Sequence, residues 1–114
     1  MSKMTEKEID AALKGAPEWA LVGEAIQRTY HFPDFAASMR FVNAVAEEAE
    51  RVRHHPDMLV RYNKVTLTLA THDAGGITAR DFALARTADS FVPAGAPVET
   101  GVKPSVAKGR KPRV

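Results

Sequence analysis

Apolar positions between residues 35 and 52 recur at helical spacing: Phe35, Met39, Val42, Ala46 and Ala49. Phe41, Val45 and Val52 widen that stripe, and Glu47, Glu48, Glu50 and Arg51 fill much of the remainder. A repeat of about 3.6 residues is that of a helix burying one side. Pro33-Asp34 opens it. Residues 64–71, KVTLTLAT, follow another rule. Val65, Leu67 and Leu69 point one way and Thr66 and Thr68 the other. That alternation predicts a half-buried antiparallel strand. A shorter strand over residues 58–62 precedes it, with Asn63-Lys64 between.

The N-terminal third reads similarly. Residues 5–14 suit a short helix, with Thr5 as cap, Glu8 three residues on, and Ile9, Ala12 and Leu13 as its stripe. Gly15 and Pro17 end it. Residues 19–24 and 25–32 read as two strands joined by a tight turn near Gly23-Glu24. In the second, Ile26, Tyr30 and Phe32 share a face that Arg28 interrupts. Asp73-Ala74-Gly75-Gly76 supplies a later turn, and Thr78 begins a last helix through about residue 91. The order α-β-β-α-β-β-α, with strands joined by short turns, predicts an α+β domain: a four-stranded antiparallel sheet with helices packed on one face.

Composition divides the chain in two. Its 114 residues fit one domain, placed at residues 1–92. Residues 93–114 hold four prolines, three glycines and most of the basic excess, so a disordered tail is expected there. From Val102 onward there are five basic residues and no acid. Removing these from 16 basic and 14 acidic residues leaves 11 against 14, or −3, for positions 1–101. The net charge of +2 is therefore the tail's, and it gives no reason to expect the domain to bind nucleic acid. There are no cysteines, which excludes disulfides, thiolate metal sites and a cysteine nucleophile. The charged beginning, MSKMTEKEID, is unlike a secretory signal. No stretch approaches the roughly 20 apolar residues of a membrane span. A cytoplasmic location is the expectation.

Two of the four histidines are adjacent, His54-His55, and Pro56 follows them. Pro56 disfavours a helical His55, and His54 falls near a helix C-terminus, whose dipole favours a protonated imidazole. One charged and one neutral imidazole around a pocket make an acid and a base near neutral pH. The same dipeptide would equally serve to cap the last helical carbonyls. His72 shares the parity of Thr66 and Thr68, at a strand end beside a glycine turn: a working residue or an exposed loop residue. Asp81 lies in Thr78-Ala79-Arg80-Asp81, a capping-box pattern that explains it without further chemistry. A metal site from these groups is the weakest reading, because adjacent histidines converge poorly on one ion.

Together the residues resemble the pterin-4a-carbinolamine dehydratase family. Its pattern is an acidic or polar residue, His-His-Pro, an aromatic residue, a further histidine and an aspartate. Here these are Glu50, His54-His55-Pro56, Tyr62, His72 and Asp81. Trp19, YHFPDF, AEEAE and YNKVTLTLATHDAGGIT surround them in similar fashion, from about residue 5 to 91. Met58 departs from relatives that carry tryptophan there. The resemblance implies a four-stranded antiparallel sheet with helices on one face, in homodimers or homotetramers. It implies dehydration of 4a-hydroxy-tetrahydropterin to the quinonoid dihydropterin, recycling the cofactor of aromatic amino acid hydroxylases. His54, His55 and His72 would be the acid/base set. Pro56, Thr71 and Asp73 would line the pterin site, and Asp81 and Glu50 would orient histidines, Glu50 reaching His54 from one turn back. No metal, cofactor, membrane or direct nucleic-acid contact is implied. Relatives that act as dimerisation cofactors or assembly chaperones supply a second, non-catalytic expectation.

Overall fold

The structure, a computed structural model, describes residues 2–92. The tail expected over 93–114 lies outside the described residues. Thr5 and Glu8 close a reciprocal capping box, with bonds of 2.8 and 3.1 Å, at the start of α1 (Glu6–Lys14). Strands β1 (Ala20–Val22) and β2 (Ala25–His31) follow, turning at Gly23 with φ 61°. That left-handed backbone suits glycine, which has no Cβ to clash. Then come α2 (Phe35–Val52), β3 (Asp57–Arg61), β4 (Lys64–Leu69), a short 3₁₀ turn (His72–Ala74) and α3 (Ala79–Ser90).

The four strands form one antiparallel sheet in the order β1-β2-β4-β3. Pairing Tyr30 with Val65 and Ile26 with Leu69 puts the alternating apolar residues of both central strands on one face. Ile26, Tyr30, Val65, Leu67 and Leu69 are buried there with Phe41 and Val45 of α2 and Phe82, Ala85 and Ala88 of α3. The opposite face carries polar pairs: Gln27 Nε2 donates to Thr68 Oγ1 at 3.0 Å, and the Thr29 and Thr66 hydroxyls meet at 2.7 Å.

Two features differ from the sequence reading. The buried line of α2 is Ser38, Phe41, Val45 and Ala49, whereas Phe35, read as the start of the stripe, is 50% exposed. The apolar stripe is wider than the sheet covers, so its Phe35–Met39–Val42–Ala46 side is left partly open within one chain. Arg28, read as an interruption, is itself buried on the core face. A buried charge needs a partner, and Asp89 supplies it at 2.7 Å. The same carboxylate accepts from Tyr30 Oη at 2.5 Å and Trp19 Nε1 at 3.1 Å, and the Arg28 guanidinium lies 4.2 Å from the Tyr30 ring centre.

Candidate active site

The site begins where α2 stops. Arg53 takes a left-handed conformation, φ 57° and ψ 45°, which costs a residue bearing a Cβ about 1–2 kcal/mol. Its N–H and that of His54 both reach back to Ala49 O. The helix therefore ends at Val52, as its apolar spacing predicts, with Arg53 as its cap three residues before Pro56. Pro56 stands directly before β3.

The left-handed turn sends His54 inward. Its ring is nearly buried, with Nε2 at 2.5 Å from Asp81 Oδ1. Asp81 is wholly buried in the first turn of α3. Its Oδ2 accepts from the Thr78 N–H at 2.9 Å, completing the helix cap, and from Thr71 Oγ1 at 2.8 Å. Thr71 Oγ1 also lies 2.7 Å from Thr78 Oγ1. Because the Thr71 proton is committed to Asp81, Thr78 must donate to Thr71, and Thr78 Oγ1 in turn accepts from the Arg80 N–H at 3.2 Å. An ionised Asp81 is acceptor-only, so His54 Nε2 carries a proton toward it. In the neutral ring the lone pair is then on Nδ1.

His55 goes the other way. Its ring is mostly exposed, with Nε2 at 2.6 Å from Glu50 Oε2. Glu50 was expected to reach His54 from one helical turn back. It meets His55 instead, because the turn at Arg53 takes His54 off the helix face. His72 is exposed at the start of the 3₁₀ turn, and its side chain makes no hydrogen bond among the described residues. The strand parity read for it does not extend that far. β4 ends at Leu69, and Thr71 forms a separate bridge with Gly76.

The structure thus joins His54, Thr71 and Asp81 directly and gives His55 and Glu50 a contact of their own. Asp73 is exposed beside His72, and Pro56 is half-buried beside His55. Among the described residues, no three His, Cys, Asp or Glu side chains gather as a metal ion would require. No described helix is long and apolar enough to cross a membrane.

Sequence reasoning missed Arg80. Its Nη2 donates to Arg53 O at 2.7 Å and Val52 O at 3.2 Å. A cation at a helix C-terminus is a known signal, but this one comes from another helix, so no local spacing shows it. A cavity of about 260 Å³ opens between α2 and α3, with Glu48, Arg51, Val52, His54 and Arg80 in its wall. Arg51 donates to Glu48 at 2.7 and 2.9 Å, and this hydrogen bond holds the Glu48 carboxyl below its ordinary pKa.

Residues 2–91 match the sequence profile of the family described as pterin 4 alpha carbinolamine dehydratase. A protein of Acidobacterium capsulatum, provisionally assigned as a pterin-4-alpha-carbinolamine dehydratase, is 49% identical over 92 residues, covering 81% of this chain and 100% of its own. A relative from Thermomicrobium roseum with the same provisional assignment is 52% identical over 86 residues, covering 75% of this chain and 92% of its own. Among solved structures, a transcriptional coactivator/pterin dehydratase from Brucella melitensis superposes with a TM-score of 0.76 at 37% identity, covering 78% of this chain and 97% of that one. A pterin dehydratase-like protein identified as a RuBisCO assembly factor in the alpha-carboxysome shares the fold, with a TM-score of 0.57 at 23% identity over 70% of this chain and 93% of that one.

Proposed function

The chain belongs to the pterin 4 alpha carbinolamine dehydratase family, and from that premise we propose that it dehydrates 4a-hydroxy-tetrahydropterin by histidine acid/base catalysis. The observation that carries this reading is the contrast between the adjacent imidazoles. His54 is nearly buried on Asp81, and His55 is exposed on Glu50. Two groups of one residue type in different environments are suited to opposite proton-transfer roles.

In the proposed reaction the bond from ring carbon to hydroxyl breaks, a ring nitrogen loses its proton, and the hydroxyl leaves as water. Two proton transfers accompany loss of the hydroxyl and no oxidation state changes overall, so the scheme asks for no metal, redox group or covalent intermediate. His54, with Nε2–H held by Asp81, accepts the nitrogen proton at Nδ1. His55 donates to the leaving hydroxyl, and Glu50 keeps its ring oriented. His72 is the third acid/base group, on the turn that follows Thr71. Each such group contributes about 10²–10⁴-fold. Pro56, Thr71 and Asp73 line the pterin, and the product re-enters the cofactor cycle of an aromatic amino acid hydroxylase in the cytoplasm. The partly open Phe35–Met39–Val42–Ala46 side of α2 supports a homo-oligomer that covers it.

Wild type should accelerate dehydration of synthetic 4a-hydroxy-tetrahydropterin without metal, followed by ultraviolet absorbance. His54→Ala, His55→Ala and His72→Ala should each lose about 10²-fold or more. A folded wild type no faster than buffer refutes the reading. A binding or assembly role on the same fold is the second reading, favoured by the coactivator description of the Brucella structure. It expects the three histidine variants to behave as wild type.

A further inference from the structure

Arg80 and Asp81 are neighbours in the first turn of α3, and they grip consecutive parts of one short segment. Asp81 holds the His54 ring. Arg80 Nη2 bonds the carbonyls of Val52 and Arg53, the two residues just before it. The last carbonyls of a helix have no partner within it and carry its negative dipole end. A guanidinium nitrogen has two N–H groups, one for each carbonyl, and its charge opposes that dipole. The Arg53 conformation that turns His54 inward is itself a costly one, so a contact fixed on its carbonyl bears on where the imidazole points.

We propose that Arg80 is a positioning residue for the acid/base reaction: its bridge to Val52 O and Arg53 O holds the left-handed turn that presents His54 to Asp81. This rests on the dehydratase reading for its kinetic consequence but not for its structural one. Asp81 fixes one nitrogen of the ring, and Arg80 fixes the backbone from which the ring springs. Both anchors are needed to define where Nδ1 stands. The Arg80 N–H also supports the Thr78–Thr71–Asp81 hydroxyl chain, but a side-chain substitution leaves that bond in place.

The test compares wild type with Arg80→Ala, Arg80→Lys and Arg80→Gln, and with Arg86→Ala, which removes an exposed cation from the same helix. The first readout is the downfield proton resonance of His54 Nε2–H in its bond to Asp81. The second is kcat against KM for dehydration. Arg80→Ala should shift or broaden the resonance and lower kcat by about ten- to a hundredfold, with KM little changed. Arg80→Lys, whose ammonium can reach a carbonyl without the planar fork, should recover part of both. Arg86→Ala should match wild type. An Arg80→Ala protein with wild-type resonance and kcat overturns the proposal, whatever its melting temperature. If Arg80→Ala does not fold, Arg80→Gln and Arg80→Lys decide by the same two signals. An inactive wild type refutes the dehydratase reading alone, and the resonance still judges Arg80.

Discussion

Asp81 shows how one residue carries a structural and a chemical duty together. As the third residue after the Thr78 cap it accepts that residue's N–H, which is what its sequence context predicts. Its other oxygen is free for His54, 27 residues away, which no local pattern reveals. Asp81→Asn tests the second duty. The amide has the same shape, and with its one oxygen kept on the Thr78 N–H, which can only donate, its nitrogen faces His54, cannot accept that proton, and releases the ring to the other tautomer. The variant should fold, with kcat lower by about 10²–10⁴, the scale of losing an orienting carboxylate. Normal dehydration by a folded Asp81→Asn protein would show that His54 is not the base. The histidine pair was legible as a candidate site, but its geometry was not. Spacing at i and i+4 assumes the helix continues, and the left-handed Arg53 ends it first.

At the scale of elements, capping signals, period and alternation located the three helices and four strands of the described residues, because most of them bury one side and expose the other; β1, exposed at all three positions, was legible from the turn at Gly23. They did not locate the centre of the α2 stripe. Phe35 and Phe41 both belong to it in the sequence, yet one is 50% and the other 4% exposed. A helix with apolar residues over much of its circumference satisfies several faces equally, and only the sheet beneath chooses. Urea unfolding separates the two. Phe41→Ala, which opens space against Tyr30 and Phe32, should cost about 3–5 kcal/mol. Phe35→Ala should cost less than about 1 kcal/mol of monomer stability and weaken self-association, read by light scattering. Equal losses in both would mean the Phe35 side is buried in the single chain after all.

Across the whole molecule, α3 is fastened at both ends by carboxylates, the first buried and the second half-buried: Asp81 to the end of α2, and Asp89 to the sheet through Arg28, Tyr30 and Trp19. Trp19 and Asp89 lie 70 residues apart, so this second anchor was as invisible in the sequence as the first. It gives the fold a dependence on alkaline pH. Burial, and after it the hydrogen bond to Asp89, push the Tyr30 phenol well above its ordinary value of 10.0. The unfolded chain releases that proton near the ordinary value, whereas the folded chain keeps it. Stability contributed by Tyr30 is therefore complete below about pH 10 and falls as pH rises, by up to about 1.4 kcal/mol per pH unit. Tyr30→Phe removes the titrating group, though it also leaves Asp89 one donor short. Urea midpoints measured from about pH 9 to about pH 11 should thus decline more steeply for wild type than for Tyr30→Phe, even if the variant starts lower. Parallel declines would place the alkaline sensitivity outside this cluster, and would mean that the Tyr30 hydroxyl is not held between the sheet and the end of α3.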